Sequence, residues 1–472
     1  MSWRTMILAV ILGVAVVSCR REAGPPPIVI RYAGVNEDTE EIINDRIGNL
    51  RKYEVLADGT KVFSRQGREY HLQRMPNPGH RGADDVLTLA LSAQTDATRP
   101  AAGLYYVDLY WFKTFQPEWL VPFEGERWRA SQFREDFIKV CYLGEGADRK
   151  LYAIPFSAKG NVLFYRRDLL KLLGDAQPPA TWDDLLRQVE RLRALADREP
   201  ALRTVKYGLL FHWQNLANDF YPIMWGFGGE IFSDDEAKRG RALEALRMLK
   251  SLVYVGKGER IPFTPSAEEL EERFGRGGAR LHRCFAEGEA MFMINWDNRL
   301  DKMRKYVNAT VAPQQVGVAP IPSGRGEDSA SNIGSWGWVI SQRPEKEDSW
   351  STGKDVVAAI QEFVNDLTRA EAQEWLAANH GYIPSRRIQL SDKAQKKLAE
   401  LGPGTVEAFR VFADTERVHF LDRPHNKRVN DIVEYALKEA ILAPFIDGAL
   451  EQKSLSRRLD LVRRRAEVFL SE

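Results

Sequence analysis

Four short stretches set an aromatic ring beside a hydrogen-bonding side chain: Asp108 with Trp111, Asn295 with Trp296 and Asp297, Ser335 with Trp336, and Tyr382 just after His380 and Gly381. That combination suits carbohydrate. The C–H faces of a sugar stack on flat apolar rings, while its hydroxyls need fixed donors and acceptors. Core packing accounts equally well for any single Trp, but the recurrence of the pairing at the ends of expected strands favours a binding cleft. Hardware for covalent chemistry is sparse. There is no Gly-x-Ser-x-Gly elbow, no phosphate-cradling Gly-rich loop ending in Lys-Ser/Thr, and no His-Glu-x-x-His. His282 and Cys284 flank Arg283 without a second pair at metal-ligand spacing, so no metal site is expected. The acidic pairs Asp183-Asp184 and Asp234-Asp235 have the chemistry of glycosidase carboxylates, yet they stand at an expected helix start and turn, where Asp is favoured for capping. Neither catalytic residues nor a cofactor are expected.

The elements that would carry these residues alternate between strand and helix. Ile28 to Tyr32 reads as a strand leading to a helix from Glu40, and Lys52 to Tyr70 as a hairpin turning at Asp58-Gly59. Asp84 to Ser92 reads as a short amphipathic helix, and Gly103 to Val107 as a strand that delivers Asp108, Tyr110 and Trp111 into a loop. Leu151 to Pro155, Val162 to Tyr165, Tyr207 to Phe211, Ala290 to Ile294 and Gly317 to Ile321 are further expected strands. Between them, Thr181 with Asp184 forms a capping signature ahead of the stripe Leu185, Val189, Leu192. Leu216 to Trp225 reads as a helix closed by Gly226, Gly228 and Gly229. Val356, Ile360, Phe363, Val364 and Leu367 mark a core-facing helix, and Thr368 with Glu371 reads as the capping box of the next. The Arg-rich end, Arg457 to Arg465, reads as a solvated amphipathic helix. Strands alternating with helices, without a fixed repeat, give an α/β class.

Composition narrows the partners. Across 472 residues, 67 Lys and Arg face 66 Asp and Glu, a formal charge of +1, so no global field exists to hold nucleic acid. Apolar residues at 44% and charged ones at 28% are the balance of a globular chain and exclude a polytopic membrane protein. Only the start departs from it. Met6 to Val17 runs uncharged behind Arg4, and twelve helical residues span roughly 18 Å against the roughly 30 Å of a hydrocarbon core, so residues 1–18 read as a signal peptide. Val16-Val17-Ser18-Cys19 closely resembles the bacterial lipobox, which implies lipidation of Cys19 and a tether to the bilayer, with 19–27 as the lipidated Cys and a Pro-ended spacer. Cys141 and Cys284 then remain; an oxidising compartment would allow them to pair, but buried single thiols are the preferred reading.

From Ile28 to its end the chain resembles the extracellular solute-binding proteins of ABC sugar importers, the maltose/trehalose-binding branch in particular. The resemblance is most specific in Leu151-Tyr-Ala-Ile-Pro155, Leu163-Phe-Tyr-Arg-Arg-Asp-Leu169 and Pro178-Pro-Ala-Thr-Trp-Asp-Asp-Leu185. Asp108-Leu-Tyr-Trp111 with Trp119-Leu-Val-Pro122, Trp225-Gly-Phe-Gly-Gly229 and Phe285-Ala-Glu-Gly288 through Trp296 follow in the family's order. Gly317-Val-Ala-Pro-Ile-Pro322, Gly334-Ser-Trp336 and Gly381-Tyr-Ile-Pro384 with Arg386 complete it.

The resemblance implies a two-lobed periplasmic-binding-protein-like fold of type II, with residues 28–154 plus 339–412 as the first lobe, 156–332 plus 416–472 as the second, and a ligand cleft between them. It implies a monomeric, lipid-anchored, extracytoplasmic receptor that closes on a sugar or oligosaccharide and delivers it to the transmembrane subunits of an ABC permease. Asp108 and Trp111 would serve the cleft from the first lobe, Asn295 and Trp296 from the second, and Trp336 from the crossing, with Glu37, Trp225 and Tyr382 as further candidates. Two positions depart from the branch: Lys159 stands where an acidic residue is usual, and Asp297-Asn298 where Pro-Tyr is common. Lys159 either favours an anionic solute or is a surface lysine, the latter being preferred. A secreted carbohydrate-active enzyme and a ligand sensor for a signalling partner are the alternatives.

Overall fold

The computed structural model describes residues 27–470 apart from 36–38, 41, 45–52, 66–67, 76–102, 110–111, 113–114, 213–215, 255–257, 267–268, 270–271, 273–278, 325, 327, 343–353, 414–417, 422–426 and 444–448. Cys19 with its leader, Glu37, Trp111 and the helix expected at 84–92 lie outside the described residues.

Two sheets organise the chain. The first contains β1 (Ile28–Ala33), β2 (Glu54–Val55), β3 (Lys61–Arg65), β4 (Arg68–Arg74), β5 (Leu104–Asp108) and β6 (Leu120–Val121). After a small ribbon of β7 (Tyr142–Leu143) and β8 (Lys150–Leu151), β9 (Ala153–Pro155) also belongs to it. The second is built from β10 (Lys159–Arg166), β11 (Tyr207–Leu210), β12 (Ala290–Trp296), β13 (Val316–Ala319), β14 (Ser329–Gly334) and β16 (Val418–Leu421). Between the last two, β15 (Trp336–Ser341) returns to the first sheet. The spatial orders are β2-β3-β4-β1-β5-β15-β6, with β9 on β15, and β11-β12-β10-β14-β16, with β13 on β10. The β2–β3 hairpin turns where expected: Gly59 takes a φ of 83° and the Asp58 carboxylate accepts the Thr60 N–H.

Sequence pattern explains the burial of the central strands. β12 and the Val162–Tyr165 part of β10 read as apolar runs, and both strands are buried along nearly their whole length, as strands covered on both faces must be. Helices supply the cover. In α1 (Trp182–Leu195) the Thr181 hydroxyl accepts the Asp184 N–H while the Asp184 carboxylate accepts the Thr181 N–H, and Leu185, Val189 and Leu192 go into the core. The helix α2 (Leu216–Gly226) is buried almost all round and stops at Gly228, whose φ of 70° suits a residue without Cβ. A longer helix, α3 (Glu236–Tyr254), packs beside it. A short one, α4 (Arg299–Lys305), follows β12 directly.

Two buried clusters result. One joins the first sheet to α5 (Lys354–Thr368) through Ile360, Phe363, Val364 and Leu367; the other joins the second sheet to α1, α2 and α3. Two sequence expectations change here and one holds. Thr368 does not cap α6 (Ala370–His380): it ends α5, donating its hydroxyl to the Val364 carbonyl, and Arg369 takes the cap position without a side-chain bond. The strand expected over Leu151 to Pro155 is divided between β8 and β9. Cys141 and Cys284 are both buried thiols, one in each cluster, so the preferred unpaired reading holds. After α7 (Asp392–Glu400), the helix α8 (Pro403–Ala413) sits on β13 and sends Ala408, Val411 and Phe412 into the second cluster. The chain ends in the antiparallel pair α9 (Lys427–Leu442) and α10 (Ala449–Leu470), the second carrying the expected Arg-rich face. No helix among the described residues is long and apolar enough to cross a membrane.

Candidate functional site

The two sheets are joined where the chain passes between them, and four of the eight candidate side chains, Asp108, Trp296, Trp336 and Tyr382, gather there. One passage runs from β9 to β10 through Phe156, Ser157 and Ala158; a second runs from β14 to β15 through Ser335; a third follows α6 at Tyr382 and Ile383. Backbone bonds lash them together. Phe156 N–H donates to the Trp336 carbonyl at 2.9 Å, Ala158 N–H to the Ile383 carbonyl at 3.0 Å, and Leu109 N–H to the Ser335 carbonyl at 2.8 Å. Side chains reinforce the junction: the Gln373 amide donates to the Phe156 carbonyl at 2.7 Å, the Ser385 hydroxyl to the Pro155 carbonyl at 2.8 Å, and the Ser335 hydroxyl to the Ser157 carbonyl. Buried backbone polar groups without water must find such partners, so the junction is specified as well as linked.

Register brings the candidates together. Asp108 at the end of β5 lies opposite Trp336 at the start of β15, and Lys159 at the start of β10 lies opposite Gly334. Trp296, at the end of β12 opposite Asn161, rests its ring on Gly334, where an added Cβ would stand 2.2 Å from the nearest ring carbon. Trp336 stacks on Tyr106 at 5.2 Å between centroids and 25° between planes. Tyr382 is only 7% exposed, and its ring faces the Lys159 ammonium at 5.7 Å. Asp108, Trp296, Trp336, Lys159 and Tyr382 therefore form one group.

Other expected residues stand apart from it. Asn295 is fully buried, its Oδ1 accepting the Trp296 N–H at 2.9 Å, so it lies beneath the group and fixes the end of β12. Trp225, half-buried on the last turn of α2, donates its indole N–H to Glu230 at 3.1 Å and meets Tyr221 at 5.4 Å; no ring contact or hydrogen bond ties it to Trp296 or Trp336 among the described residues. The acidic pairs at 183–184 and 234–235 serve helix starts: Asp184 completes its capping box and Asp235 accepts the Ala237 N–H. Cys284, Glu287 and Glu289 could bring three metal donors within 4.8 Å of one another. Glu289 already receives Lys206 at 2.5 Å and Glu287 the Tyr306 hydroxyl.

Lys159 is the clearest correction to the sequence reading, because it is half-buried at the junction and not a surface lysine. Burial is the main cause that lowers its pKa to about 8, opposed by the charges of Asp297 and Asp108 and assisted by Arg299 and Lys302. Burial likewise raises Asp297 to about 7, while the Gly160 N–H, donated to its carboxylate at 3.0 Å, and the Lys159 charge act the other way. Burial also pushes the Tyr106 hydroxyl well above its usual range.

Sequence reasoning missed a polar network under this floor. Asp219, 0% exposed, accepts the Asn161 amide at 3.0 Å, the His212 N–H at 2.6 Å and the His212 ring at 3.1 Å, and the Asn218 carbonyl accepts the amides of Asn161 and Asn332. Its one sequence signal is the polar pair Asn218-Asp219 in the first turn of an otherwise apolar helix.

Comparison with known proteins adds three findings. The family model described as bacterial extracellular solute-binding protein matches residues 80–374. Among curated relatives, a probable ABC transporter-binding protein of Deinococcus radiodurans is 27% identical over 251 residues, covering 52% of this chain and 53% of that protein. A maltodextrin-binding protein of Bacillus subtilis is 27% identical over 218 residues, 43% of this chain and 45% of the relative. The chain spans about half the length of the curated relatives it matches. Among solved structures, maltose-bound MalE3 of T. maritima superposes with a TM-score of 0.68 at 21% identity, over 92% of this chain and 99% of that one, so the fold is of that two-lobed α/β type.

Proposed function

Since the chain belongs to the bacterial extracellular solute-binding proteins, we propose that it is an extracytoplasmic receptor that captures a sugar or oligosaccharide between two lobes and hands it to an ABC permease. The observation that carries this reading is the convergence of Trp296 and Trp336, from strands of different sheets, on Gly334 and the strand crossings, with Asp108 and Lys159 beside them. Two flat rings flanked by a few charged groups form a surface on which a sugar can stack and hydrogen-bond.

In this reading the first lobe holds 28–154 and the chain from 339 through α6, and the second holds 156–332 and the chain from α8 onward. Residues 403–412 move to the second lobe because α8 packs on β13. Asp108, Trp336 and Tyr382 would contact the solute from the first side and Trp296 from the second, with Asn295 supporting Trp296 from below. Trp111 and Glu37 would join the first side and Trp225 the rim of the second. The site is a binding site and not a catalytic one, in keeping with the use of both acidic pairs as helix caps. The mature receptor is a monomer tethered through acylated Cys19.

Thermal melts against maltose, maltotriose, glucose and sn-glycerol 3-phosphate test it. A solute at 100 times its dissociation constant adds about 2.7 kcal/mol to folded-state stability. Small-angle scattering with the stabilising solute should show a smaller radius of gyration, because a solute bridging both lobes selects the closed arrangement. An unmoved melting temperature across the panel overturns the reading. Cys19→Ala should release the protein from the membrane pellet and abolish acyl labelling, and labelling that persists overturns the anchor.

A further inference from the structure

Lys159 occupies an unusual position for an ammonium. It is the first residue of β10 after the crossing, half-buried, and paired across the sheet with Gly334, the residue on which Trp296 rests. Among the described residues its ammonium makes no hydrogen bond; its one close partner is the face of Tyr382 at 5.7 Å. Charged groups of both sheets act on it: Asp108 from the end of β5, and Asp297, Arg299 and Lys302 from the segment that follows β12. Asp297 is 3% exposed, accepts the Gly160 N–H at 3.0 Å and returns its own N–H to the Gly160 carbonyl at 3.1 Å. It therefore compensates charge from below and presents almost no oxygen to a solute. Arg299 and Lys302 stand one turn apart at the start of α4.

We propose that Lys159 is a specificity-determining residue of the cleft and that the captured solute carries an anionic group, a carboxylate or a phosphate, on a polyhydroxylated body. The proposal rests on the receptor reading given above. The Lys159 ammonium stands half-buried in the group that holds the tryptophan plates and makes no hydrogen bond among the described residues, while the buried Asp297 carboxylate is already taken up by the Gly160 N–H. A neutral sugar satisfies the plates and leaves that ammonium without a charged hydrogen-bond partner. An anion supplies one, through charge-assisted hydrogen bonds that are roughly twice as strong as neutral ones. The pH dependence has a definite sign. Lys159 gains its charge as pH falls through about 8, and Asp297 loses its own as pH falls through about 7, so both steps strengthen anion binding toward acid. Among the described residues, Asp108, Arg299, Lys302 and the Tyr382 ring also act on the ammonium.

Matched solute pairs decide it: glucose with glucuronate and with glucose 6-phosphate, and glycerol with sn-glycerol 3-phosphate, titrated calorimetrically at pH 6.5 and 9 with maltose alongside. The charged member should bind at least roughly tenfold more tightly than its neutral partner, and more tightly at pH 6.5 than at 9. Which of glucuronate and glucose 6-phosphate gains more separates carboxylate from phosphate. Lys159→Met should erase most of the preference, lowering the affinity of the charged member of each pair far more than that of its neutral partner, and Lys159→Arg should restore part of it. Binding of maltose or glucose with no preference for charged partners, or a preference that survives in Lys159→Met, overturns the inference and leaves the receptor reading standing. Silence from every solute overturns both.

Discussion

The two sheets each present a tryptophan at a strand end, yet they hold it by different means. Trp296 stands on a polar base: Asn295 ties its backbone, Asp297 and Gly160 bond each other in both directions, and Asn161 connects the strand to buried Asp219 and His212. Trp336 stands on rings, stacked on Tyr106, which in turn meets Trp338 at 4.8 Å and Phe156 at 5.9 Å. Hydrogen bonds are directional and leave costly orphans when one partner goes, whereas aromatic contacts tolerate small changes of angle. The second-sheet face should therefore be brittle and the first-sheet face forgiving.

The largest effect is expected at the polar base. Asp219→Ala strips the acceptor from the His212 N–H, the His212 ring and the Asn161 amide at once, and should cost roughly 3 kcal/mol or more, since breaking a buried hydrogen-bonded charge leaves its partners unpaired. Denaturant unfolding measures it, and a loss below about 1 kcal/mol would erase the contrast between the faces. Next comes Gly334→Ala. The new Cβ would fall 2.2 Å from the Trp296 ring, so the ring must move, at about 1 to 3 kcal/mol of stability. Affinity for a solute that stabilises the parent should fall at least roughly tenfold, as for an aromatic anchor displaced from its place. Unchanged affinity would show that Trp296 is not a plate of the cleft.

A smaller and pH-limited effect belongs to Asp297. Its folded pKa of about 7 stands above the ordinary 3.8, so the native state holds the extra proton between those values, and the stability this contributes in acid is lost as pH rises through 7. Lys159, lowered to about 8 from 10.5, works in the opposite sense: stability is lost as pH falls from about 10.5 to 8. Asp297→Asn keeps an oxygen for the Gly160 N–H and should flatten the pH 4 to 7 limb of the melting profile; a limb of unaltered slope would mean that another group produces it. The smallest change is Trp336→Phe, which keeps a ring on Tyr106 and should cost under about 1.5 kcal/mol beyond the area lost. A collapse comparable to that of Asp219→Ala would refute the forgiving character of this face.

Much of the scaffold was legible because its signals are local. The apolar runs of β10 and β12, the Thr181–Asp184 box and the Asp58-Gly59 turn each contain within a few residues the physics that forms them. The box expected at Thr368 fails for the same reason in reverse. Its residues suit a cap, but α5 runs on into Thr368, whose hydroxyl bonds the turn behind it.

The candidate site divides along the same line. Aromatic residues beside polar ones at strand ends are visible in the sequence, and Trp296, Trp336, Asp108 and Tyr382 do gather where the strands cross. Which of the others join that group is not visible there. Asn295 reads as a donor and is buried under the floor, while Lys159 reads as a surface lysine and stands in the junction between Asp108 and Asp297. The chain by itself determined which segments are strands and helices, since propensity, periodicity and capping act over a few residues. Only the tertiary structure decided the charge environment, because the Asp297 carboxylate reaches the backbone beside Lys159 across 137 residues of chain, and burial, which sets the protonation of both, is a property of the packed whole.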